Sequence, residues 1–249
     1  MSAIFKREFK SYFTTPVGYI VLAAFYFFLG LYFYMIFSSG SPQIGNVIIA
    51  MTTVTVFIMP ILTMRLMSDD RRQKVDQVLL TAPVKIWSIV LGKFFAAFSV
   101  YALAFAPTVF FEIIILSKVT VSVLPYLYAL LGILLLGGAL IAMGMFISSL
   151  TESPAISAIL SLIINVLVLY MSSFTSMITV PEGSTTFFGK IWEKIVSGFM
   201  LFLEKAAFIS VSESFSETIF SVMDIIYFLS IIAIFVFLSV RSLEKRRWS

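Results

Sequence analysis

The sequence predicts an all-α polytopic membrane protein with six transmembrane helices. The chain has 249 residues, of which 60% are hydrophobic and 12% charged, whereas about 25% of the residues of a soluble domain are charged. Several uncharged runs exceed the roughly 18 residues that mark a transmembrane helix. A transmembrane barrel would show short alternating segments instead of long apolar runs. These observations favour a single helical membrane domain that covers residues 1–249.

Residues 1–16 are predicted to form an interfacial helix. Phe5, Phe9 and Phe13 recur at four-residue spacing, while the basic residues of this segment fall on other faces. Such an amphipathic helix lies along the membrane surface; the alternative is a disordered basic segment. We expect no cleaved signal peptide, because the first apolar span begins only near Val17 and lacks a small-residue cleavage site.

Six apolar segments follow, and polar or helix-capping residues mark their ends. The first segment ends at the polar turn 38–43, and the second ends before Arg65. Ser153 ahead of Pro154 fits an N-cap followed by proline at the first helical position of the fifth segment. Each segment is long enough to cross a hydrocarbon core of about 30 Å. The predicted spans are residues 17–37, 44–64, 94–116, 123–150, 154–180 and 222–240.

The basic residues predict the orientation of these spans. With six spans, residues 1–16, the 65–93 loop and the tail after Val240 share one side and carry 13 of the 17 Lys and Arg residues. The positive-inside rule therefore places both termini and that loop in the cytoplasm. The basic tail directly follows a span, so we expect it to contact anionic lipid headgroups, and we expect no nucleic-acid partner.

The segment 181–221 is predicted to be the long extracytoplasmic loop. Apolar residues recur at helical spacing between residues 188 and 202, and Glu193 and Lys194 would lie near the centre of any further crossing. Because charges at the bilayer centre are costly, we expect a helix at the outer surface or a re-entrant segment. A lid over an exit path and simple interfacial packing both fit this pattern.

The loop 65–93 is predicted to bind a soluble partner. Val75, Val78, Leu79 and Ala82 follow helical spacing behind a dense charge cluster, and Pro83 ends the pattern. A loop that only joined two helices could be much shorter. We therefore predict a short amphipathic cytoplasmic helix with a binding role.

Several kinds of chemistry are excluded by composition. The chain has no Cys and no His, which removes thiolate and imidazole metal ligands and His or Cys catalysis. No G-x-x-x-x-G-K-[ST] phosphate-binding loop occurs, so the chain is not predicted to bind ATP phosphates. We expect no enzyme activity, no cofactor and no metal site in this chain, with any ATP and Mg²⁺ bound by another subunit.

Two polar residues within the spans are candidates for function. Glu112 lies near the outer end of the third span and Asn165 lies in the fifth. An ionisable group inside a membrane is a functional candidate by default, which applies to Glu112, and both residues are assigned to a possible substrate path. Glu112 fits an interface anchor equally well, and Asn165 could instead hydrogen-bond across helices for about 1 kcal/mol.

Three stretches of the chain resemble a known family. Residues 70–83 combine an acidic-basic-basic start, a leucine pair and Thr-Ala-Pro-Val, and Leu-Gly-Lys93 precedes the next span. Residues 9–20 and 224–230 are similar to the opening and to the entry of the last span in the same family. Together they resemble type-2 ABC-transporter permeases, in particular the branch of the gliding-motility and nitrous-oxide-operon permeases.

The resemblance implies a membrane subunit of an ATP-driven export complex in the bacterial cytoplasmic membrane. Two permease chains, identical or homologous, would form the pore. Each would dock a helix, here residues 68–83, into a separate ABC ATPase subunit, and an auxiliary extracytoplasmic subunit could join them. The chain departs from the family over residues 74–77, where the acidic residue is shifted by one position. The residues assigned to ATPase coupling are Asp70, Arg71, Arg72, Asp76, Leu79, Leu80, Pro83 and Lys93.

Two other functions stay open at this point. A membrane scaffold or assembly subunit of an envelope complex would use the same loop to recruit a partner without transport. An intramembrane enzyme is the weakest alternative, because the spans lack His, Cys and paired carboxylates.

Overall fold

The computed structural model describes residues 1–38, 44–73, 85–117, 122–169 and 222–247. All regular elements in these ranges are α-helices, which confirms the predicted all-α fold class. In chain order they are α1 (Ser2–Thr14), α2 (Pro16–Ser38), α3 (Ile44–Thr63), α4 (Ser68–Arg72), α5 (Ile86–Ala104), α6 (Ala106–Leu116), α7 (Leu124–Leu150), α8 (Pro154–Leu169) and α9 (Val222–Arg247).

Five helical segments of the described ranges are long and apolar enough to cross a membrane. They are Pro16–Ser38, Ile44–Arg72, Ile86–Leu116, Leu124–Leu150 and Val222–Lys245. The predicted fifth span is represented by α8, an apolar helix that is described as far as Leu169. The predicted extracytoplasmic segment 181–221 lies outside the described residues. A multi-pass helical membrane protein is thus established.

The helix of the predicted third span begins earlier than the sequence suggested. α5 starts at Ile86, inside the predicted 65–93 loop. The helix is interrupted at Phe105, after which α6 begins. Pro107 occupies the first turn of α6, where its missing N–H costs little. The proline therefore starts a new helix, and Lys93 lies within α5 instead of at the end of a loop.

α7 occupies the centre of the bundle and packs against α3, α5, α8 and α9. Its small residues allow close approach. A Cβ atom on Gly137 would lie 2.0 Å from Cε1 of Tyr101 in α5, and the hydroxyl of Tyr101 donates to the carbonyl of Ile133 at 2.7 Å. The core is therefore built around α3 and α7, while α2 and α9 expose most of their apolar surface.

Candidate functional site at the charged end of the bundle

Charged residues of α1, α4, the start of α5 and the turn between α7 and α8 come together at one end of the bundle. We call this region the charged end. It contains the first residues of the helix that the sequence predicts to dock onto a partner. The geometry of α4 and of the residues that hold it therefore decides what this end can do.

A turn over residues 64–67 separates α3 from α4, and the hydroxyl of Ser148 in α7 holds it. Ser148 accepts hydrogen bonds from the backbone N–H groups of Met67 and Ser68 at 3.1 and 3.0 Å. It donates to the carbonyl of Met64 at 3.0 Å, and Ser68 donates its own hydroxyl to the same carbonyl. One fully buried side chain thus satisfies backbone groups that the interrupted helix leaves unpaired.

The close approach of α3 and α7 makes this contact possible. A Cβ atom on Gly144, one turn before Ser148, would lie 2.3 Å from Oγ1 of Thr63. No real Cβ atom approaches another heavy atom so closely, so a larger residue would separate the two helices. Glycine at this position brings Ser148 within hydrogen-bonding distance of the turn.

Lys93 joins three helices through a buried ammonium group. Its side chain is 1% exposed, and Nζ lies 3.2 Å from Glu8 Oε1 in α1 and 2.8 Å from Asp70 Oδ2 in α4. A buried charge is tolerated only when it is paired and hydrogen-bonded, and here two carboxylates meet that requirement. We call Glu8, Asp70 and Lys93 the buried triad.

Arg7 extends the triad toward solvent. Its guanidinium donates to Glu8 Oε1 through Nη2 at 2.7 Å and through Nε at 3.2 Å. This hydrogen bond raises the pKa of Arg7 above its ordinary value, with smaller contributions from the charges of Glu8 and Asp70 against the opposing effect of burial. Two cations and two carboxylates therefore form a neutral network across the charged end.

Arg71 ties α4 to the turn between α7 and α8. Its guanidinium lies 2.5 Å from Glu152 Oε1 and donates to the carbonyl of Leu150 at 3.2 Å. Glu152 is largely exposed, so the ion pair itself contributes little stability. Together with the main-chain contact, it nevertheless fixes the side of α4 that does not face Lys93.

α1 is attached to the span helices by packing and by one buried hydroxyl. Tyr12 donates to the carbonyl of Leu62 near the end of α3 at 2.9 Å, and burial raises the pKa of the Tyr12 hydroxyl far above its usual range. Gly92 of α5 lies against Ile4, where a Cβ atom would come within 3.0 Å of a methyl group. α1 is thus packed against both α3 and α5.

A cleft of about 400 Å³ opens between α1 and α4. Its lining includes Arg7 and Glu8 from α1 and Asp69, Asp70 and Arg72 from α4. Across the described ranges, no group of three or more Asp and Glu residues is arranged to hold a metal ion. The charged side chains that line the cleft can form ion pairs between the two helices and can contact a partner.

A family model for ABC-2 type transporters matches residues 1–191. The chain belongs to the ABC-2 type transporter family. No curated protein matches the sequence. The matched range includes α1 to α8, hence the whole charged end. The family assignment confirms the predicted type-2 ABC permease, and the narrower branch stays a prediction.

An ABC-2 permease is the membrane component of a transporter and is not itself catalytic, and the family generally works with an ATPase partner. The residues assigned to coupling fall into two groups, those that form contacts within the permease and those that do not. Asp70, Arg71 and Lys93 form contacts within the permease, whereas Arg72 is exposed on α4. Four further coupling residues lie outside the described residues, namely Asp76, Leu79, Leu80 and Pro83.

Glu8, Ser148 and Glu152 complete the charged end but did not stand out in the sequence. Glu8 carried a usable signal, since it shares a helical face with Phe5 and Tyr12 at spacings of three and four residues. Ser148 and Glu152 carried none, because a serine among small residues is typical of helix packing and an acidic residue in a short turn is ordinary.

The two intramembrane candidates lie apart from the charged end. Glu112 is 6% exposed in α6, and Asn165 is 1% exposed in α8. Among the described residues, no hydrogen bond or ion pair joins the two side chains. The structure thus brings together the coupling residues that it describes but not this pair.

Replacing Ser148 with alanine should lower the free energy of unfolding of the permease by about 1–3 kcal/mol, because two buried N–H groups lose their acceptor. Unfolding in detergent, followed by circular dichroism, measures the effect. Ser239→Ala is the matched control, since Ser239 is also fully buried but, among the described residues, bonds only to Phe235 in its own helix. We expect Ser239→Ala to lower the free energy of unfolding by less than about 1 kcal/mol. Equal decreases for the two variants would contradict a special role for Ser148.

Proposed function

We propose that this ABC-2 permease is the membrane subunit of an ATP-driven export complex and couples to a separate ATPase subunit through residues 68–83. The observation that carries the proposal is the attachment of α4, the start of that segment. Asp70 bonds to Lys93 of α5, Arg71 to the α7–α8 turn, and the backbone of Ser68 to Ser148 of α7. A segment that only joined two spans would need none of these contacts.

The attachments define how a movement of the ATPase would reach the spans. A displacement of α4 would pull α5 and α1 through the buried triad and α7 through Ser148. Packed helices connected in this way move as rigid elements between discrete arrangements. We propose that nucleotide-driven closure of the ATPases rocks these helices between inward-facing and outward-facing states.

The coupling residues take two roles in this proposal. Asp70, Arg71 and Lys93 hold the base of the docking helix within the permease. Arg72 is exposed and available to the ATPase. The resemblance to type-2 permeases assigns direct ATPase contact to the rest, namely Asp76, Leu79, Leu80 and Pro83.

The remaining features of the proposal follow from the charge distribution and the family. The charged end faces the cytoplasm, with both termini on that side of the bacterial cytoplasmic membrane. A second permease copy or a homologous permease completes the pore, and an extracytoplasmic subunit is an additional candidate partner. Glu112 is proposed to lie near the substrate path, and the same role for Asn165 stays a prediction.

Purification of the tagged permease from its host in mild detergent, with mass spectrometry and an ATPase assay, tests this function. We expect an ABC ATPase to co-purify and to hydrolyse ATP. A stable partner without nucleotide hydrolysis would instead support a membrane scaffold and would remove the assignment of residues 68–83 to coupling.

Replacing Leu79 and Leu80 together with glutamate should abolish recovery of the ATPase. Two carboxylates placed in an apolar docking groove would weaken binding by at least about 2 kcal/mol, or roughly 30-fold. The amount of ATPase recovered per permease, measured by quantitative mass spectrometry, gives the result. Gln73→Glu serves as the control, because it adds a charge to the same loop at an exposed position and should leave recovery unchanged. Wild-type recovery by the double variant would contradict docking through this helix.

A further inference from the structure

α3 contains a proline that removes one of its own backbone hydrogen bonds. Pro60 lies inside the helix and is buried. It has no N–H to donate to the carbonyl of Val56, four residues earlier, and its ring crowds that carbonyl in a straight helix. Val56 is fully buried as well, so water does not supply the missing donor. The carbonyl therefore needs a partner from another helix.

Asn165 of α8 supplies that partner. Its side chain is 1% exposed, and its Nδ2 donates to the carbonyl of Val56 at 3.5 Å, which is longer than the roughly 2.7–3.2 Å of most N–H···O hydrogen bonds. The bond crosses from α8 to the one carbonyl of α3 that Pro60 deprives of its helical donor. A chance contact of a packing residue would have no reason to select this carbonyl.

Other polar atoms beside this contact have no hydrogen-bond partner within the described residues. They are Oδ1 of Asn165 and Oγ of Ser161, one turn before it, and both side chains are buried. Unpaired buried polar atoms cost free energy.

We infer that Pro60 and Asn165 form a hinge in the second span, with Asn165 as the positioning residue that closes it. Pro60 lies eight residues before Ser68, where α4 begins. The inner end of α3 is held by Ser148, while the outer part of the helix extends away from the hinge. Bending at Pro60 would therefore change the angle between the outer part of the span and the charged end. This role differs from the substrate-path role predicted for Asn165, and the hinge itself does not depend on the proposed coupling to an ATPase.

A double-mutant cycle on the purified full-length permease tests the hinge. Asn165→Leu removes the donor at nearly constant volume, and Pro60→Ala restores an N–H four residues after Val56. We expect Asn165→Leu to lower the melting temperature by a few degrees in the wild-type background. In the Pro60→Ala background the same change should lower it by less than half as much, because Val56 then has its helical donor. Ser161→Ala is the control, and its effect should be the same in both backgrounds.

Spin-label distances give a second measurement. Since the chain has no cysteine, spin labels can be attached specifically to cysteines placed at the exposed positions Phe57 and Arg72. The distance between the two labels then reports on bending at Pro60. We expect a broader distance distribution in Asn165→Leu and a narrow one in the Pro60→Ala double variant. An equal loss of melting temperature in both backgrounds would overturn the inference and leave Asn165 a packing residue. Because neither readout involves ATP, failure of the hinge is distinguishable from failure of the proposed function.

Discussion

Replacing Lys93 with methionine should lower the free energy of unfolding of the permease by about 3–5 kcal/mol, since removal of one member of a buried ionic group leaves a carboxylate without its cation. Methionine fills most of the lysine volume, so the loss comes mainly from charge. Glu8 and Asp70 are only 14% and 20% exposed. Without Nζ, Asp70 would lose its ion-pair partner, while Glu8 would keep its bond to Arg7. Thermal or denaturant unfolding in detergent measures the difference.

Arg65→Met provides the matched control for this prediction. Arg65 pairs with Asp69 at 3.5 Å one turn away, and its side chain is 42% exposed. Asp69 is 23% exposed, and helix pairs at this spacing contribute about 0.3–0.5 kcal/mol, so the control should cost much less stability than Lys93→Met. If Lys93→Met were no more destabilising than Arg65→Met, the triad would not be a buried ionic centre.

The helices could be predicted from the sequence because their signals are local. Long apolar runs indicate transmembrane helices, and the spacing of Phe5, Phe9 and Phe13 indicated a helix that α1 confirms. The ends of the helices were harder to predict. The apolar residues after Ile86 continue the helical pattern, so no local signal separated the end of the loop from the start of α5.

The charged end could be predicted only in part, because its contacts connect distant parts of the chain. The pattern around Asp70 and Arg71 is visible along a single segment, and Lys93 belongs to the same family motif. Glu8 reaches Lys93 across 85 residues, and no periodicity reports such a pairing. Burial of Lys93 was equally inaccessible, since it depends on α1 covering the start of α5.

Asn165 shows the same limit for a residue inside the membrane. The sequence indicated that a polar side chain in a span has a function or a hydrogen-bond partner. Its partner is the backbone carbonyl of Val56 in α3. That carbonyl is available because Pro60, four residues after Val56 in the same helix, has no N–H to donate to it. Each residue alone is ambiguous, and only the register between α3 and α8 connects them.

Neutralising all three residues of the buried triad should leave the stability of the permease largely intact while it impairs the transmission of movement from α4. In the variant Glu8→Gln, Asp70→Asn, Lys93→Met, no buried charge is left unpaired, and replacing a complete buried ionic group by neutral residues of similar size is often nearly neutral for stability. We therefore expect the triple variant to recover most of the stability that Lys93→Met loses. It would nevertheless lack the strong bonds between α1, α4 and α5, so a movement of α4 should no longer be transmitted to α1 and α5, although Ser148 would still connect α4 to α7.

Distances between spin labels on α1 and on the outer part of α3 would measure that transmission in the purified complex. With the wild-type triad, addition of ATP should shift the distance distribution; in the triple variant the shift should disappear while ATP hydrolysis continues. The control neutralises the pair of Arg65 and Asp69 by Arg65→Gln with Asp69→Asn. This pair lies in the same region but joins residues one turn apart in a single segment. The ATP-dependent shift of the control should persist. A full shift in the triple variant would mean that the remaining contacts of Tyr12, Gly92 and Ser148 transmit the movement, and the triad would then serve stability only.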